Sequence, residues 1–412
     1  MGIFRKNRIY LDYASTTPIS SASVRAMREA EKIIGNPSAI HEEGVEASRS
    51  LEKSRTQVAA ELGCKAREVI FTSGITESNN LAVLGLTRPL EISRHKTLTS
   101  QHKSDLYDKS DLCGLGGTHW IVSGIEHASV LECFSDIERK GGRISYADPD
   151  PRGIILSETV AKLLRKETVC VSIGWANNEI GVINPLSSIA RVIHAHEERN
   201  STRVIFHSDA GQAPLYLAPQ AHALGVDLLS LGGSKIYGPH GMGCLYANNR
   251  AGLAPIILGG GQERGLRAGT ENVALAAGFV VALEEAGRLR AEESKRLKKM
   301  RDDFAREIVA GIPGTIINGS LEHMLPHILN ISIPNINSEY LLLALDREGI
   351  ALSTKSSCSS GEKASHVVSA LGGPTWRAEN TLRFSLGKDT KESELKRTIK
   401  ILCAIVSGLQ KI

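Results

Sequence analysis

The sequence lacks the features of several common protein classes. Its net charge is only +4, from 49 Lys and Arg against 45 Asp and Glu, which is a small excess for a protein that binds nucleic acid by neutralising many phosphates. No apolar run approaches the roughly 20 residues needed to span a bilayer, and no apolar signal segment follows the basic N-terminus. We therefore expect a cytoplasmic protein that binds neither a membrane nor nucleic acid directly.

The seven cysteines are widely scattered and include no C-x-x-C pair. This pattern argues against a disulfide framework and against a thiolate zinc site, so we expect no metal. The sequence also lacks G-x-x-x-x-G-K-[ST], G-x-S-x-G and H-E-x-x-H, which are the motifs of P-loop nucleotide-binding proteins, serine hydrolases and zinc proteases. Its chemistry must therefore reside in other residues.

The length and the pattern of apolar residues predict an α/β fold. A chain of 412 residues exceeds the usual size of one hydrophobic core, so we expect two to three domains. From Arg67 to about Asn248, short β-branched runs alternate with amphipathic stretches, which predicts a mostly parallel sheet between helices. A long or broken helix from Glu271 to about Ile312 is expected to precede a smaller α+β unit.

Two other segments have distinct compositions. Residues 42–62 are predicted to form a helix that ends at Gly63, because glycine is suited to the left-handed position after a helix. Residues 87–118 are polar and show little apolar periodicity, so we interpret them as a surface insertion without chemistry.

Several polar residues follow the predicted strands, and ligands of such sheets bind beyond the carboxyl ends of the strands. Residues 72–78 join a strand to a helix, and their N–H groups and hydroxyls suit a phosphate. N-capping of that helix by Thr76 is an equal alternative. His127 follows the next strand, although a lone histidine is more often structural than catalytic.

Three further side chains and one loop are candidates for chemistry. Asp209 ends a buried strand, so its carboxylate must be paired or hydrogen-bonded, and we expect a cationic partner. Lys235 follows a glycine-rich strand end, where it is either a desolvated nucleophilic amine or a solvent-exposed loop residue. Cys358 lies among small polar residues near Lys355, a setting that favours the thiolate. Residues 259–270, here called the arch, are rich in Gly and Arg and form either a flexible loop or an anion contact.

Eight phrases, in order along nearly the whole chain, resemble those of the cysteine desulfurases, which belong to the class V aminotransferase group of fold type I pyridoxal-phosphate enzymes. The phrases are Leu11–Pro18, Gly35–Ser38, Phe71–Gly74, Asn177–Gly181, Asp209–Gln212, Lys235–Pro239, the arch and Leu382–Gly387. The resemblance implies a large cofactor-binding domain over residues 21–284. Residues 1–20 and 285–412 would form a smaller domain that carries the reactive cysteine and a substrate-binding arginine.

The resemblance also implies a cofactor, pyridoxal 5′-phosphate, and the residues that bind it. Lys235 would hold the cofactor covalently, and Asp209 would pair with its ring nitrogen. His127 would stack on the ring as a catalytic residue, and Thr270 would reach the phosphate of a neighbouring subunit, which implies a homodimer. The other implied cofactor-binding residues are Gln212, Asn178, Thr76, Ile75 and Ser234.

For the substrate, L-cysteine, the resemblance implies that Arg383 binds the carboxylate, with Asn36 and Asn178 nearby. The thiolate of Cys358 would attack the substrate sulfur, which leaves a persulfide and alanine. The sulfur would then pass to an acceptor protein, such as an iron–sulfur scaffold or a tRNA-thiolation relay.

This sequence departs from the usual pattern of the family at two places. The phrase before the lysine is Gly232-Gly233-Ser234 rather than Ser-Gly-His, and the phrase before the cysteine is Thr354-Lys355-Ser356-Ser357 rather than Ser-Gly-Ser-Ala. Lys355 either lowers the pKa of the thiol or lies in solvent. Alternative functions are a selenocysteine lyase, another class V aminotransferase, or a non-catalytic module that delivers sulfur.

Overall fold

The structure is a computed structural model that describes residues 8–90, 114–354 and 363–409. Within these residues the helices are α1 (Ser21–Ala30), α2 (Glu42–Leu62), α3 (Ile75–Leu84), α4 (Ala128–Arg139), α5 (Ser157–Leu163), α6 (Leu186–Asn200), α7 (Ala221–Leu224), α8 (Val273–Gly311), α9 (Ser338–Arg347), α10 (His366–Ala370), α11 (Trp376–Glu379) and α12 (Glu392–Leu409). The strands are β1 (Ile9–Tyr10), β2 (Val69–Thr72), β3 (His119–Ser123), β4 (Arg143–Ala147), β5 (Thr168–Ser172), β6 (Ile205–Asp209), β7 (Leu228–Gly232), β8 (Gly243–Ala247), β9 (Ile316–Ile317), β10 (Ile328–Ser332), β11 (Ile350–Ala351) and β12 (Thr381–Ser385).

Seven strands form a central sheet in the order β2-β8-β7-β6-β5-β3-β4. The neighbours from β7 to β4 pair in parallel, whereas β8 runs antiparallel to both β7 and β2. The predicted mostly parallel sheet between helices is therefore confirmed. The direction of β8 was not predicted, because a short apolar run carries no signal for the direction of its strand.

The inner strands of this sheet are buried because both faces are covered by helices, whereas the edge strand β4 is partly exposed. In β3, Ile121 packs into the same core as Leu51 and Val58 of α2. The residues on either side of it, Trp120 and Val122, pack into a second core with Phe134 of α4. Successive side chains of a strand point to opposite faces, so a sheet covered on both sides requires continuous apolar runs rather than alternation.

A smaller unit contains the antiparallel sheet β12-β10-β9 and the parallel pair β1-β11. Its core combines Leu329 of β10 and Phe384 of β12 with Phe304 of α8. Helix α8 is a single helix of 39 residues, which settles the alternative between a long and a broken helix. The predicted domain boundary at 284/285 lies within α8, between a segment that packs on the central sheet and one that packs on the smaller unit. That boundary stays a prediction.

The termini of α2 agree with their sequence signals. The helix begins after His41, whose Nδ1 accepts a hydrogen bond from the Gly44 N–H at 3.3 Å. It ends at Gly63, which adopts the left-handed conformation with φ 61° and ψ 38°. The predicted range of 42–62 and the glycine C-cap are both confirmed. Of the predicted insertion at 87–118, residues 91–113 lie outside the described residues.

Among the described helices, none combines the length and the apolar character that crossing a bilayer requires.

Candidate active site

A cavity of about 370 Å³ opens at the carboxyl edge of the central sheet. Its walls come from the segments that follow β2, β3, β5, β6 and β7, together with the N-terminal segment and β12. The predicted site residues that line it are Ile75, Thr76, His127, Asn178, Asp209, Gln212, Ser234, Lys235 and Arg383. The sheet edge at which we expected chemistry therefore brings most of the predicted site residues together.

Lys235 reaches this cavity from a short 3₁₀ turn, Gly233–Lys235, directly after β7. The turn is tight, since a Cβ atom on Gly233 would lie 2.4 Å from the carbonyl oxygen of Pro239. The Lys235 amine donates to the carbonyl oxygen of Ala14 at 3.0 Å and also to that of Ser15. The structure thus places the amine in the cavity wall and not in solvent.

Asp209 ends β6, and neutral N–H donors bind both of its carboxylate oxygens. Oδ1 accepts a hydrogen bond from the Gly211 N–H at 2.7 Å, and Oδ2 accepts one from the Asn79 side-chain amide at 2.7 Å. Within the described residues, Asp209 forms no ion pair. The expected cationic partner is therefore not supplied by this part of the protein, and hydrogen bonds alone satisfy the carboxylate. Asn79, on α3, was not identified from the sequence.

His127 is the N-cap of α4 and also lines the cavity. Its Nδ1 accepts the backbone N–H of Ser129 at 3.1 Å and lies 2.8 Å from the Ser129 hydroxyl. Because Nδ1 is an acceptor, the proton of the neutral ring is on Nε2. Burial is the main cause that lowers the pKa of His127 below its usual value, so the ring is neutral at pH 7. The structural and the functional interpretations of this histidine are thus compatible.

The N-terminus of α3 lies in the cavity wall without a side-chain cap. The helix begins at Ile75, and its N-cap residue is Gly74, with no capping side chain. The alternative in which Thr76 caps the helix is therefore wrong, because Thr76 lies inside the first turn. Free N–H groups at a helix N-terminus attract anions. The neighbouring Ser73 N–H is already bound, since it donates to Glu77 at 2.7 Å.

Arg383 approaches the same cavity from β12 and is almost fully buried, with 1% of its surface exposed. One terminal nitrogen, Nη1, donates to the carbonyl oxygen of Asn178 at 3.0 Å. The other, Nη2, donates to Asp12 at 2.9 Å and to the Ser15 hydroxyl at 2.7 Å. Asp12 lies in a phrase that carries the family resemblance, but the sequence indicated no role for it.

Sequence reasoning also missed Glu126, which is buried in the cavity wall beside His127. Its Oε1 accepts the Gly174 N–H at 2.7 Å. Burial, with a smaller contribution from the charge of Asp209, raises the pKa of Glu126 to about 8. The carboxyl group is thus largely protonated near neutral pH. An acidic residue directly before a histidine at a strand end is the signal that could have identified it.

The arch is fixed to the central sheet by a buried ion pair. Arg55 of α2 donates to both oxygens of Glu263, at 2.6 and 2.8 Å, and the side chains of both residues are at most 3% exposed. Glu263 also accepts the Phe71 N–H at 3.0 Å. The arch is therefore anchored at Glu263, although most of its residues are exposed, and the alternatives of a loop or an anion contact both stay predictions.

Two of the described site residues are not brought to the cavity, and a third predicted residue lies outside the described part of the chain. Asn36 and Thr270 are exposed and are not among the residues that line it. Cys358 lies outside the described residues, as does Lys355. The roles proposed for these residues stay predictions.

Comparison with known proteins gives matches over nearly the whole chain. The sequence matches the family described as Aminotransferase class-V over residues 9–107 and 109–398. It is 37% identical to "Cysteine desulfurase IscS" of Dictyoglomus turgidum, over 99% of this chain and 96% of that protein. It is 34% identical to "Putative cysteine desulfurase IscS 1" of Bacillus subtilis, over 98% of this chain and 99% of that protein.

Solved structures show the same similarity in three dimensions. A structure described as "NIFS-LIKE PROTEIN" has a TM-score of 0.82 and 32% identity, and the match covers 97% of this chain and 99% of that one. A structure described as "SspA in complex with cysteine" has a TM-score of 0.73 and 30% identity, and the match covers 92% and 98% of the two chains.

Proposed function

This chain belongs to the aminotransferase class-V family and, within it, to the cysteine desulfurases, and we propose that it converts L-cysteine to L-alanine while the sulfur passes to Cys358. One observation carries the proposal: Lys235, Asp209 and Arg383, which lie on three different segments, line a single cavity. An amine, a carboxylate and a guanidinium around one small space suit the chemistry of an amino acid at its α-carbon.

The donor set of this cavity fits pyridoxal 5′-phosphate as the cofactor. Asp209 has two neutral donors and no cation within the described residues, and a protonated ring nitrogen would supply that cation. Lys235 offers an amine for the aldehyde, and the uncapped N-terminus of α3 offers N–H groups for the phosphate. When bound, the cofactor supplies an electron-withdrawing ring that makes the Cα proton of the substrate acidic.

The remaining contacts to the cofactor follow from the family resemblance together with the cavity lining. His127 would stack on the ring, and Gln212 and Asn178 would bind its polar substituents. Thr76, Ile75 and Ser234 would bind the phosphate. Thr270 would complete the phosphate site from a second copy of the chain, since it is exposed and outside the cavity of its own copy.

The chain's own residues divide the remaining tasks. Arg383 binds the α-carboxylate of cysteine, with Asn178 and, as the resemblance implies, Asn36 nearby. The amine of Lys235, held by the carbonyl oxygens of Ala14 and Ser15, is placed to move a proton at the substrate Cα. The ring of His127 is neutral and carries its proton on Nε2. It can therefore donate a hydrogen bond without adding a second positive charge.

In the sulfur step, the thiolate of Cys358 attacks the sulfur of cysteine. An S–S bond forms, the C–S bond breaks, and protonation of the released carbon gives alanine. The products are alanine and a persulfide on Cys358, so atoms and electrons balance without an external oxidant.

The position of Ser353 supports this role for Cys358. The backbone of Ser353 pairs with that of Arg383, with the Arg383 N–H donating to the Ser353 carbonyl oxygen at 2.7 Å. Cys358 follows five residues later, and five residues span at most about 18 Å. The chain therefore leads from the proposed carboxylate-binding residue to the thiol over a short distance.

We also propose a cytoplasmic homodimer that passes the sulfur to an acceptor protein, such as an iron–sulfur scaffold or a tRNA-thiolation relay. The exposed position of Thr270 supports the dimer, and a thiol in a segment rich in serine suits transfer to another protein.

The proposed function is tested by incubating the purified protein with pyridoxal phosphate, L-cysteine and a reductant, then measuring alanine and sulfide together. We expect equal amounts of the two products. The Cys358→Ser variant should lose at least about 10³-fold of both activities, because it lacks the nucleophile.

The matched control is Cys403→Ser, which removes a cysteine of α12 and should keep full activity. Alanine without sulfide, or alanine formation that Cys358→Ser leaves intact, would contradict the proposal and favour another class V aminotransferase. Turnover of selenocysteine but not cysteine would favour a selenocysteine lyase. Absence of turnover and of bound cofactor would favour a sulfur-delivery module.

A further inference from the structure

The carboxylate of Asp12 connects three segments that meet at Arg383. Its Oδ1 accepts hydrogen bonds from the hydroxyls of Ser15 and Ser353, each at 2.9 Å. The same oxygen lies 2.9 Å from Nη2 of Arg383. The three donors come from the N-terminal segment, from the residues that precede Cys358, and from β12. Asp12 is thus held in place by hydrogen bonds from three segments that meet at Arg383, the residue proposed to bind the substrate carboxylate.

Asp12 also balances the charge of Arg383. Within the described residues, Asp12 is the carboxylate that forms an ion pair with this guanidinium. The side chain of Arg383 is 2% exposed and that of Asp12 is 17% exposed, so the pair is little screened by water. The Nε atom of Arg383 is buried and makes no hydrogen bond with the described residues. Because this atom has almost no accessible surface, a substrate carboxylate must approach the terminal nitrogens, one of which Asp12 already binds.

A substrate carboxylate that binds Arg383 must share this cation with Asp12. Two carboxylates on one guanidinium lie close enough to repel each other, and burial strengthens that repulsion. Asp12 therefore competes with the substrate carboxylate for Arg383 and lowers the affinity of Arg383 for an amino acid.

We propose that Asp12 is a positioning residue that orients Arg383 and sets its affinity for the substrate carboxylate. By competing for the guanidinium, Asp12 keeps the binding of amino acids weak enough for alanine to leave. This inference rests on the proposed function, in which Arg383 binds the substrate carboxylate. It assigns to Asp12 a role that acts through Arg383.

The test measures binding rather than turnover. Isothermal titration calorimetry of the cofactor-loaded protein gives the dissociation constants of L-alanine and of L-alaninamide, in which a neutral amide replaces the carboxylate. For Asp12→Asn we expect alanine to bind about tenfold more tightly than to the unmodified protein, because the competing charge is gone. Alaninamide should bind no more tightly.

Three further variants separate a change of charge from a change of structure. Asp12→Ser also removes the charge and provides a second neutral variant if Asp12→Asn does not fold, as judged by its melting temperature. Asp12→Glu keeps the charge and should bind alanine within about threefold of the unmodified protein. Asp346→Asn removes an exposed aspartate that pairs with Arg8 on the surface and should leave both constants unchanged.

Weaker or unchanged binding of alanine to the folded neutral variants would overturn the inference, while binding to the unmodified protein would leave the proposed function intact. A parallel tightening of alaninamide would also overturn it, because the effect would not involve the carboxylate. Failure of the unmodified protein itself to bind alanine would contradict the proposed function as well.

Discussion

The cavity and the arch both contain carboxylates that are largely withdrawn from solvent, but the charges of these carboxylates are balanced differently. In the arch, Glu263 pairs with the guanidinium of Arg55 through two hydrogen bonds. In the cavity, Asp209 accepts hydrogen bonds from neutral N–H groups and, within the described residues, forms no ion pair. A carboxylate in a buried ion pair is already neutralised by its partner and attracts a charged ligand only weakly. A carboxylate that only neutral N–H groups bind keeps its negative charge for such a ligand. The ion pair therefore anchors the arch at Glu263, whereas Asp209 keeps its charge for the proposed cofactor.

Among the tests of this comparison, the largest effect on activity is expected when the charge is removed at Asp209. The Asp209→Asn variant keeps the size of the side chain but loses the charge that would face the cofactor nitrogen. We expect desulfurase activity to fall by about 10²-fold or more, with little change in the melting temperature. Steady-state kinetics and thermal melting measure the two quantities.

The Asn79→Ala variant sharpens this prediction, because it removes one donor to Asp209 and leaves the carboxylate in place. It should lose less activity than Asp209→Asn. Equal activity of Asp209→Asn and the unmodified protein would mean that the charge of this residue has no role in the reaction.

The second effect concerns stability rather than activity. The Glu263→Gln variant leaves the buried guanidinium of Arg55 with only the carboxylate of Glu52, whose side chain is 57% exposed, and we expect the free energy of unfolding to fall by about 3 kcal/mol. Urea denaturation measures it. As a matched control, Asp346→Asn breaks an exposed Asp–Arg pair and should cost at most about 1 kcal/mol. Similar losses in the two variants would show that burial of the pair in the arch is unimportant.

The third effect is a change in how stability depends on pH. Burial raises the pKa of Glu126 to about 8 from an ordinary value of 4.5. Below pH 4.5 the carboxyl group is protonated in both the folded and the unfolded protein. Between about pH 4.5 and 8 the folded protein holds a proton that the unfolded chain has released, so stability falls as the pH rises.

Glu126→Gln cannot ionise and should not show this contribution. Its free energy of unfolding should therefore rise relative to that of the unmodified protein between pH 5 and 8, as measured by urea denaturation. Glu132→Gln, at an exposed position of α4, should follow the unmodified protein at every pH. Parallel curves for Glu126→Gln and the unmodified protein would contradict the shifted pKa.

Local patterns were sufficient to predict much of the fold. The range of α2 and its glycine C-cap depend on composition and on one backbone conformation, and both were predicted from the sequence. The position of β8 in the sheet depends on which strands it meets, and neighbours in the sheet leave no local signal. Thr76 was assigned as an alternative N-cap because the helix was expected to begin later than Ile75, where it in fact starts.

The residues of the candidate site also fall into those that the sequence could identify and those that it could not. Asp209, Lys235 and His127 follow predicted strands, so the rule for parallel sheets identified them. Asn79 lies inside a helix, where no strand end marks it, and its contact with Asp209 joins residues 130 positions apart.

The sequence by itself determined the alternation of strands and helices and several residues at the strand ends, because these follow from periodicity and from backbone preferences over a few neighbouring residues. Only the tertiary structure decided which charges meet. The contact between Asp12 and Arg383 joins residues 371 positions apart, and the pair of Arg55 and Glu263 joins residues 208 positions apart. Such contacts depend on how helices and sheets pack together, which local sequence patterns do not specify.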